Sequence, residues 1–587
     1  MMKRHGKRPY HYMILLLVFA ATACNYPALV LRDNQQPDQE IALGSSETPT
    51  PFVPEVRPSA PPAATSLPPT ETTLPATATS TVIPVTSTPA AAQYRVWVDP
   101  RLPVGLRQGI HVSPPYMIDQ ETGGGEGATI RILPGGNAPV SHWVYALVAP
   151  FATIQDGVSI ADVQQSWHGE RVGPFAGRPL LMDESTAGVF TALWGAPADG
   201  AVQVVPAENI LGAEWQQRPS WGLVPFEALA PGWKVLTVDG LSPLHKDFDP
   251  AAYGLTVPIS MEWQAPEGKV DAILVPATNR DPNKLTVLAM TGVTALVRAT
   301  AFTMEQKGIN YPGLDVRDIL RSADLTHISN EVPFASDCPF PNPVQADMRF
   351  CSDRRYIGLL EDVGTDIVEL TGDHFQDWGT DAMLETLDMY RERGWVTYGG
   401  GANLEEGKKA AIVEHNGNKL AFIGCNAKGG AFAQAGPDTP GAVKCDLPYM
   451  ENEITRLRNQ GYLPIATFQH FEYYTYYAQP NQQSDFRALA EAGAVIVSGS
   501  QAHQPQGFEF TNTGAFIHYG LGNLFFDQYD VSEACRQGFI DLHVFYDGRY
   551  IGTDLVTIQF IDYARPRLMT SEERNGVLQS VFTASGW

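Results

Sequence analysis

The chain has 587 residues, with 40 Lys and Arg against 64 Asp and Glu, a formal charge of −24, and 44% hydrophobic residues. So acidic a chain is not expected to bind a nucleic acid, itself a polyanion. The apolar content is that of packed globular protein, and the length accommodates two or three domains of ~100–200 residues beyond a leader and a linker.

Lys3, Arg4, Lys7 and Arg8 precede the apolar run from Met13 to Ala21. That run is shorter than the ~20 residues of a membrane-spanning helix, so residues 1–23 read as a secretory signal. It ends in Ala21-Thr-Ala-Cys24, small residues before a single cysteine. This resembles a bacterial lipobox and implies an extracytoplasmic protein lipidated at Cys24 and held on the membrane. Ordinary cleavage after Ala23, leaving a free thiol, is the alternative. Residues 24–93 read as a linker: Ser45 to Gln93 contains 11 proline and 11 threonine residues, too little apolar surface to offset the entropy of ordering, and so forms an extended tether.

Residues 94–283 show short apolar runs punctuated by Gly and Pro. Val144 to Phe151 reads as a strand, Gly157 to Trp167 as a loop entering a helix, and Trp221 to Leu229 as the approach to a strand at Trp233 to Val238. Y-A-L-V-A-P-F, the helix ending in Trp167-His-Gly169 and W-G-L-V-P-F resemble periplasmic solute-binding proteins of the phosphate and molybdate type. The resemblance implies an α/β domain with Ser185, Thr186 and Trp221 near a cleft, serving as a solute sensor. A module that no longer binds solute is the other reading.

From residue 284 to 565 strands and helices alternate, and hairpins come late. Leu285 to Met290 and Asp366 to Leu370 read as strands, and Asp381 to Arg393 as a helix closed by Gly394. Asn416-Gly417 marks a hairpin. A helix from Pro448, a strand from Pro464 to Phe468, a helix from Gln482, strands at Ala494 to Val497 and Ala515 to Tyr519, and a hairpin at Asp547-Gly548 follow. This order predicts a layered α/β domain with mixed sheets, leaving 566–587 as a tail. Cys338, Cys351, Cys425, Cys445 and Cys535 suit an oxidising compartment and allow at most two bridges within the chain, of unread connectivity.

Two strand ends carry polar chemistry, G-D-H-F-Q-D-W-G at 372–379 and S-G-S-Q-A-H-Q-P-Q-G-F-E at 498–509. Ligands collect at the carboxyl ends of strands in layered α/β proteins, so Asp373, His374, Asp377, His503 and Glu509 are offered to one site. Asp377 also reads as a turn N-cap.

With T-G-D-H-F-Q-D-W-G, Y-G-G-G-A-N at 398–403, E-A-G-A-V-I-V-S-G-S-Q-A-H at 491–503 and Y-G-L-G-N-L-F-F-D at 519–527, the region resembles the CapA-type capsule, or poly-γ-glutamate, synthesis proteins. The resemblance implies a calcineurin-like αββα sandwich of the metallophosphoesterase type. It also implies envelope-polymer formation, with the polymer or its synthesis machinery as partner. A two-metal site of this kind needs acidic and imidazole ligands around ions ~3.5–4 Å apart. Where the family has a bridging carboxylate this chain has Val293, and two of three late imidazoles are replaced by Ser500 and Gln501. By the resemblance Glu331, Asp373 and His503 hold a divalent metal, Mn, Fe or Zn. His374 donates a proton, His470 or Glu472 orients water or substrate, and Asn330, Gln501 and Asn523 contact substrate. A metal-dependent hydrolase with a reduced site stands beside a non-catalytic polymer-binding or scaffolding lipoprotein.

Overall fold

The alternation of apolar residues along the strands of 284–565 sorts side chains to two faces, as a period of two demands. Leu288 and Met290 enter one core while Ala289 enters another. Phe422, Ile465, Ile496 and Phe516 face inward with Leu288 and Met290, whereas Ile423, Ala466, Val497 and Ile517 face outward. The computed structural model describes residues 94–119, 125–136, 139–264 and 272–587. The signal, the linker and Cys24 lie outside them.

Two sheets stack through the inward-facing set. One has eight strands, in the order Val396–Tyr398, Ile367–Glu369, Leu325–Asn330, Leu285–Thr294, Gln537–Tyr546, Arg549–Ile561 and Arg565–Leu568, with Asn523–Phe525 beside the end of Leu285–Thr294. The other has six, in the order Ala411–His415, Asn418–Asn426, Leu463–Gln469, Ile496–Ser498, Phe516–His518 and Phe508–Phe510. Helices Arg298–Lys307, Ile357–Asp362 and Thr380–Glu392 cover the first sheet. Leu447–Asn459 and Pro480–Glu491 cover the second. The resulting helix, sheet, sheet, helix order is the calcineurin-like layering that the resemblance implied.

Within each sheet the strands that lead to the polar loops are parallel: Leu285–Thr294 with Leu325–Asn330 and Ile367–Glu369, and Asn418–Asn426 with Leu463–Gln469 and Ile496–Ser498. Parallel strands deliver their carboxyl ends to one edge. Hairpins turn at Asn416-Gly417 and Asp547-Gly548, all four residues with positive φ, as type I′ turns require. At Gly292 a Cβ would lie 1.8 Å from the Gly522 carbonyl oxygen, so only glycine lets the Asn523 strand come in beside Val293.

Residues 94–264 form a nine-stranded mixed sheet around the long strand Pro139–Pro150, with helices Ile160–Trp167, Glu184–Trp194 and Ile210–Gln216. Its core continues into Leu285, Val287, Val544, Tyr546 and Ile551. Tyr546 Oη donates to the Asn279 carbonyl at 3.0 Å and accepts from Asp281 N at 2.9 Å, so chain on both sides of residue 284 shares one apolar cluster. The segment read as a tail forms the helix Ser571–Ala584, whose Val577, Leu578, Val581 and Phe582 enter the inter-sheet core. Arg574 on that helix pairs with Asp156 at 2.6 Å.

Glu214 is fully buried, taking a hydrogen bond from Trp233 Nε1 at 2.5 Å on Oε2 while Oε1 has no partner. Burial pushes its pKa from 4.5 up to about 8, against the pull of the Trp233 bond. The folded state therefore holds its proton more tightly than the unfolded one, and stability is lost as pH rises from the unfolded value through the folded one. Relative to Glu214→Gln, the wild-type melting temperature is expected to fall between about pH 5 and pH 8. Parallel melting curves for the two proteins across that window would contradict the assignment.

Candidate functional site

Glu331 follows the strand Leu325–Asn330, Asp373 and His374 follow Ile367–Glu369, and Gln469 ends Leu463–Gln469. The shared edge brings one ligand atom each of Glu331, Asp373 and His374 within 4.8 Å of one another. Glu331 is buried, its Oε2 is unpartnered, and burial raises its pKa. Asp377 Oδ2 bonds His374 Nδ1 at 2.7 Å and accepts from Phe350 N at 3.0 Å. It therefore orients the imidazole rather than capping a turn. Burial disfavours the His374 cation, but the Asp377 bond and the charges of Glu331 and Asp373 outweigh it and push the pKa up to about 9.

Gln469 Nε2 donates to Asp373 Oδ1 at 2.7 Å and lies 3.3 Å from Glu331 Oε1. The amide cannot face the other way, because Asn426 Nδ2 donates to Gln469 Oε1 at 2.5 Å and to the Thr371 carbonyl at 2.7 Å. On the other side of Asp373, Lys428 Nζ lies 3.2 Å from Oδ2 and pairs with Glu472 Oε1. His503 Nε2 meets that same Glu472 oxygen at 3.2 Å, and its Nδ1 bonds Asn523 Oδ1 at 2.9 Å. Burial would raise the Glu472 pKa, but His503 and Lys428 hold it well below the usual carboxylate range.

Several expected residues are placed differently. His503 joins Glu472, while His374 completes the cluster with Glu331 and Asp373. His470 bonds Asp485 at 3.0 Å and packs against Phe468 and Phe486. Phe468 faces the outer helices, so the two-residue step keeps His470 on that side and away from the site, and Gln469 between them points in. Glu509 pairs with Arg487 at 2.7 Å and accepts from Tyr519 Oη at 2.7 Å, apart from the cluster. Asn330 is fully buried and donates to the Val332 carbonyl and Tyr390 Oη, both at 2.7 Å, a brace rather than a substrate contact. Gln501 is buried and donates to Ser329 Oγ at 2.7 Å, Ser500 donates to Glu369, and Asn523 holds His503. In the first domain, Thr186 N and Ser185 Oγ both donate to Asp183, Thr186 N at 2.7 Å, so these two groups serve to cap the helix Glu184–Trp194. Trp221 is buried edge-on to Phe175.

Reasoning from sequence missed Lys428, Gln469 and Asn426. The only signal was Gly429-Gly430 in the loop that leaves the strand Asn418–Asn426: a Cβ at Gly429 would lie 3.0 Å from Asp373 Cβ, and this close approach brings the Lys428 loop to the site. Cys425–Cys445 closes that loop, Cys338–Cys351 closes another, and Cys535 is buried and free.

The donor set fits one divalent ion: two carboxylates and an imidazole converge, with a carboxylate oxygen unpaired. It does not fit two, since Lys428 lies between Asp373 and Glu472, and Val293, where the resemblance implied a bridging carboxylate, is apolar and buried.

Residues 287–528 match the family described as "Bacterial capsule synthesis protein PGA_cap". The chain is similar to the capsule biosynthesis protein CapA of Bacillus anthracis, 23% identical over 260 residues, covering 43% of this chain and 63% of that protein. It is also similar to the PGA biosynthesis protein CapA of Bacillus subtilis (strain 168), 26% identical over 227 residues, covering 38% and 59%. The aligned part thus spans less than two thirds of either relative. Among solved structures, a 5'-nucleotidase precursor from Thermus thermophilus covers 51% of this chain and 59% of its own, at 12% identity and a TM-score of 0.30.

Gln469→Leu leaves buried carboxylates without their amide donor, so it is expected to lower the unfolding free energy by about 1–3 kcal/mol. Urea unfolding with an unchanged midpoint would show that the amide does not brace the site.

Proposed function

We propose, taking residues 287–528 as a domain of the bacterial capsule synthesis family PGA_cap, that the protein acts outside the cytoplasm in forming a capsule or poly-γ-glutamate-type envelope polymer. The basic and apolar leader ending at Cys24 supports a lipid anchor. No helix among the described residues is long and apolar enough to cross a membrane. The partner is the polymer or its synthesis machinery.

One observation carries the reading of the site, the convergence of Glu331, Asp373 and His374 around an unpaired Glu331 oxygen. These residues would hold one Mn, Fe or Zn ion, which when bound supplies Lewis acidity toward a phosphoryl or carbonyl oxygen. Asp377 accepts a hydrogen bond from His374 Nδ1, so that Nε2, turned toward Asp373 at 3.9 Å, is the ring nitrogen that would face the ion. Gln469 fixes the Asp373 carboxylate. Binding of the polymer without turnover is the second reading. It is supported by Val293 at the bridging position and by Ser500 and Gln501, which are turned inward onto Glu369 and Ser329.

Purified protein is expected to retain a single equivalent of Mn, Fe or Zn and to lose it in Asp373→Ala. A cell carrying only that variant is expected to make as little polymer as one lacking the gene. Normal polymer with the metal gone would sink the hydrolase reading and leave the binding one. Cys24→Ser is expected to move the protein from the membrane fraction to the soluble one, and retention in the membrane fraction would contradict lipid anchoring.

A further inference from the structure

Asp373 divides the site in two. Its Oδ1 belongs to the side with Glu331, His374 and the Gln469 amide, and its Oδ2 faces Lys428 Nζ at 3.2 Å. Beyond the lysine stand Glu472, bonded to the same ammonium, and His503, 3.2 Å from Glu472. Asp373, Glu472 and His503 are two carboxylates and an imidazole from three different strand-end loops, a donor set suited to a divalent transition metal. The space among them is already held by a protein cation.

That cation is placed by the backbone. Ala427 N donates to the Gln469 carbonyl at 2.8 Å, and Asn426 N to the Val443 carbonyl at 2.7 Å. Gly429 N donates to Asn426 Oδ1 at 2.5 Å. Cys425–Cys445 ties the two ends of the segment. Lys428 is thus locked on both sides. Its ammonium is mostly shielded from solvent, at 27% side-chain exposure between Asp373 at 11% and Glu472 at 22%. In such surroundings removing one member of an ion pair leaves an uncompensated charge, which costs far more than an exposed pair contributes.

We propose that Lys428 is a built-in substitute for the second divalent cation. Its ammonium neutralises and joins Asp373 and Glu472, and it closes that position to metal. The inference rests on the reading of the remaining cluster as a single-ion site, but it stands or falls on a different quantity. The apolar Val293 at the bridging position and the presence of Lys428 fit together: with no bridging ligand, a monovalent charge tethered to the chain keeps the two remaining carboxylates compatible.

The test is manganese binding by the purified full-length protein after EDTA stripping, followed by calorimetry and elemental analysis. It compares the wild type with Lys428→Gln, Glu331→Gln and the double variant. Lys428→Gln is expected to take up one Mn2+ more per chain than the wild type, and that increment is expected to persist in the Glu331→Gln background. EDTA-stripped Lys428→Gln is also expected to melt below the wild type and to be restored by Mn2+. An equal manganese count in wild type and Lys428→Gln, or two ions in the wild type, would overturn the proposal. A wild type that binds none while Lys428→Gln binds one would support the lysine's role and sink the single-ion reading. Should Lys428→Gln fail to fold, the wild-type count decides alone, with two ions against the proposal and one or none for it.

Discussion

Buried carboxylates need a counter-charge, and the edge where the parallel strands end is organised around that need. Glu331, Asp373 and Glu472 come from separate loops, each delivered by a strand whose apolar residues fill the cores on either face. Left alone they would repel one another and resist ionisation. Gln469, Lys428, His374 and His503 answer with a neutral donor, a fixed cation and two imidazoles. Remove those, and the close approach of the strand ends is no longer tolerable.

The supporting residues are as informative as the ligands. Asn426 sets the orientation of Gln469, Asn523 that of His503, and Asp377 that of His374. Each of these polar groups is itself bonded to backbone: Asn426 to the Thr371 carbonyl, Asn523 to the His503 and Cys535 carbonyls, Asp377 to Phe350 N. The chain thus fixes geometry by side chains anchored to main chain, which limits how far the site can relax. Two glycines permit the close packing, Gly292 beneath Gly522 and Gly429 against Asp373.

Much of this architecture was legible in the residues. Strand and helix positions followed from period-two and period-3.6 patterns, and Asn416-Gly417 and Asp547-Gly548 turn where their chemistry requires. Glu331, Asp373, His374, His503 and Glu472 all reach the site. Two kinds of information were hidden. The resemblance put His470 at the site, but which face of the strand Leu463–Gln469 looks toward the helices is not written in the residues, so Gln469 was passed over. Lys428 sits in a loop without periodicity, and its role depends on residues 55 positions upstream and 44 downstream. Spacing carries no signal for such a meeting. The shared core beneath residues 94–264 and the docking of the final helix were hidden for the same reason, since both are contacts between distant segments.

The central claim is that a metallophosphoesterase-type fold here carries one divalent position beside a lysine that serves as the other charge. Anomalous diffraction from crystals soaked in Mn2+ tests it most directly. The account predicts one manganese peak among Glu331, Asp373 and His374, with Lys428 Nζ still between Asp373 and Glu472. Two peaks, with the lysine swung out to solvent, would contradict it.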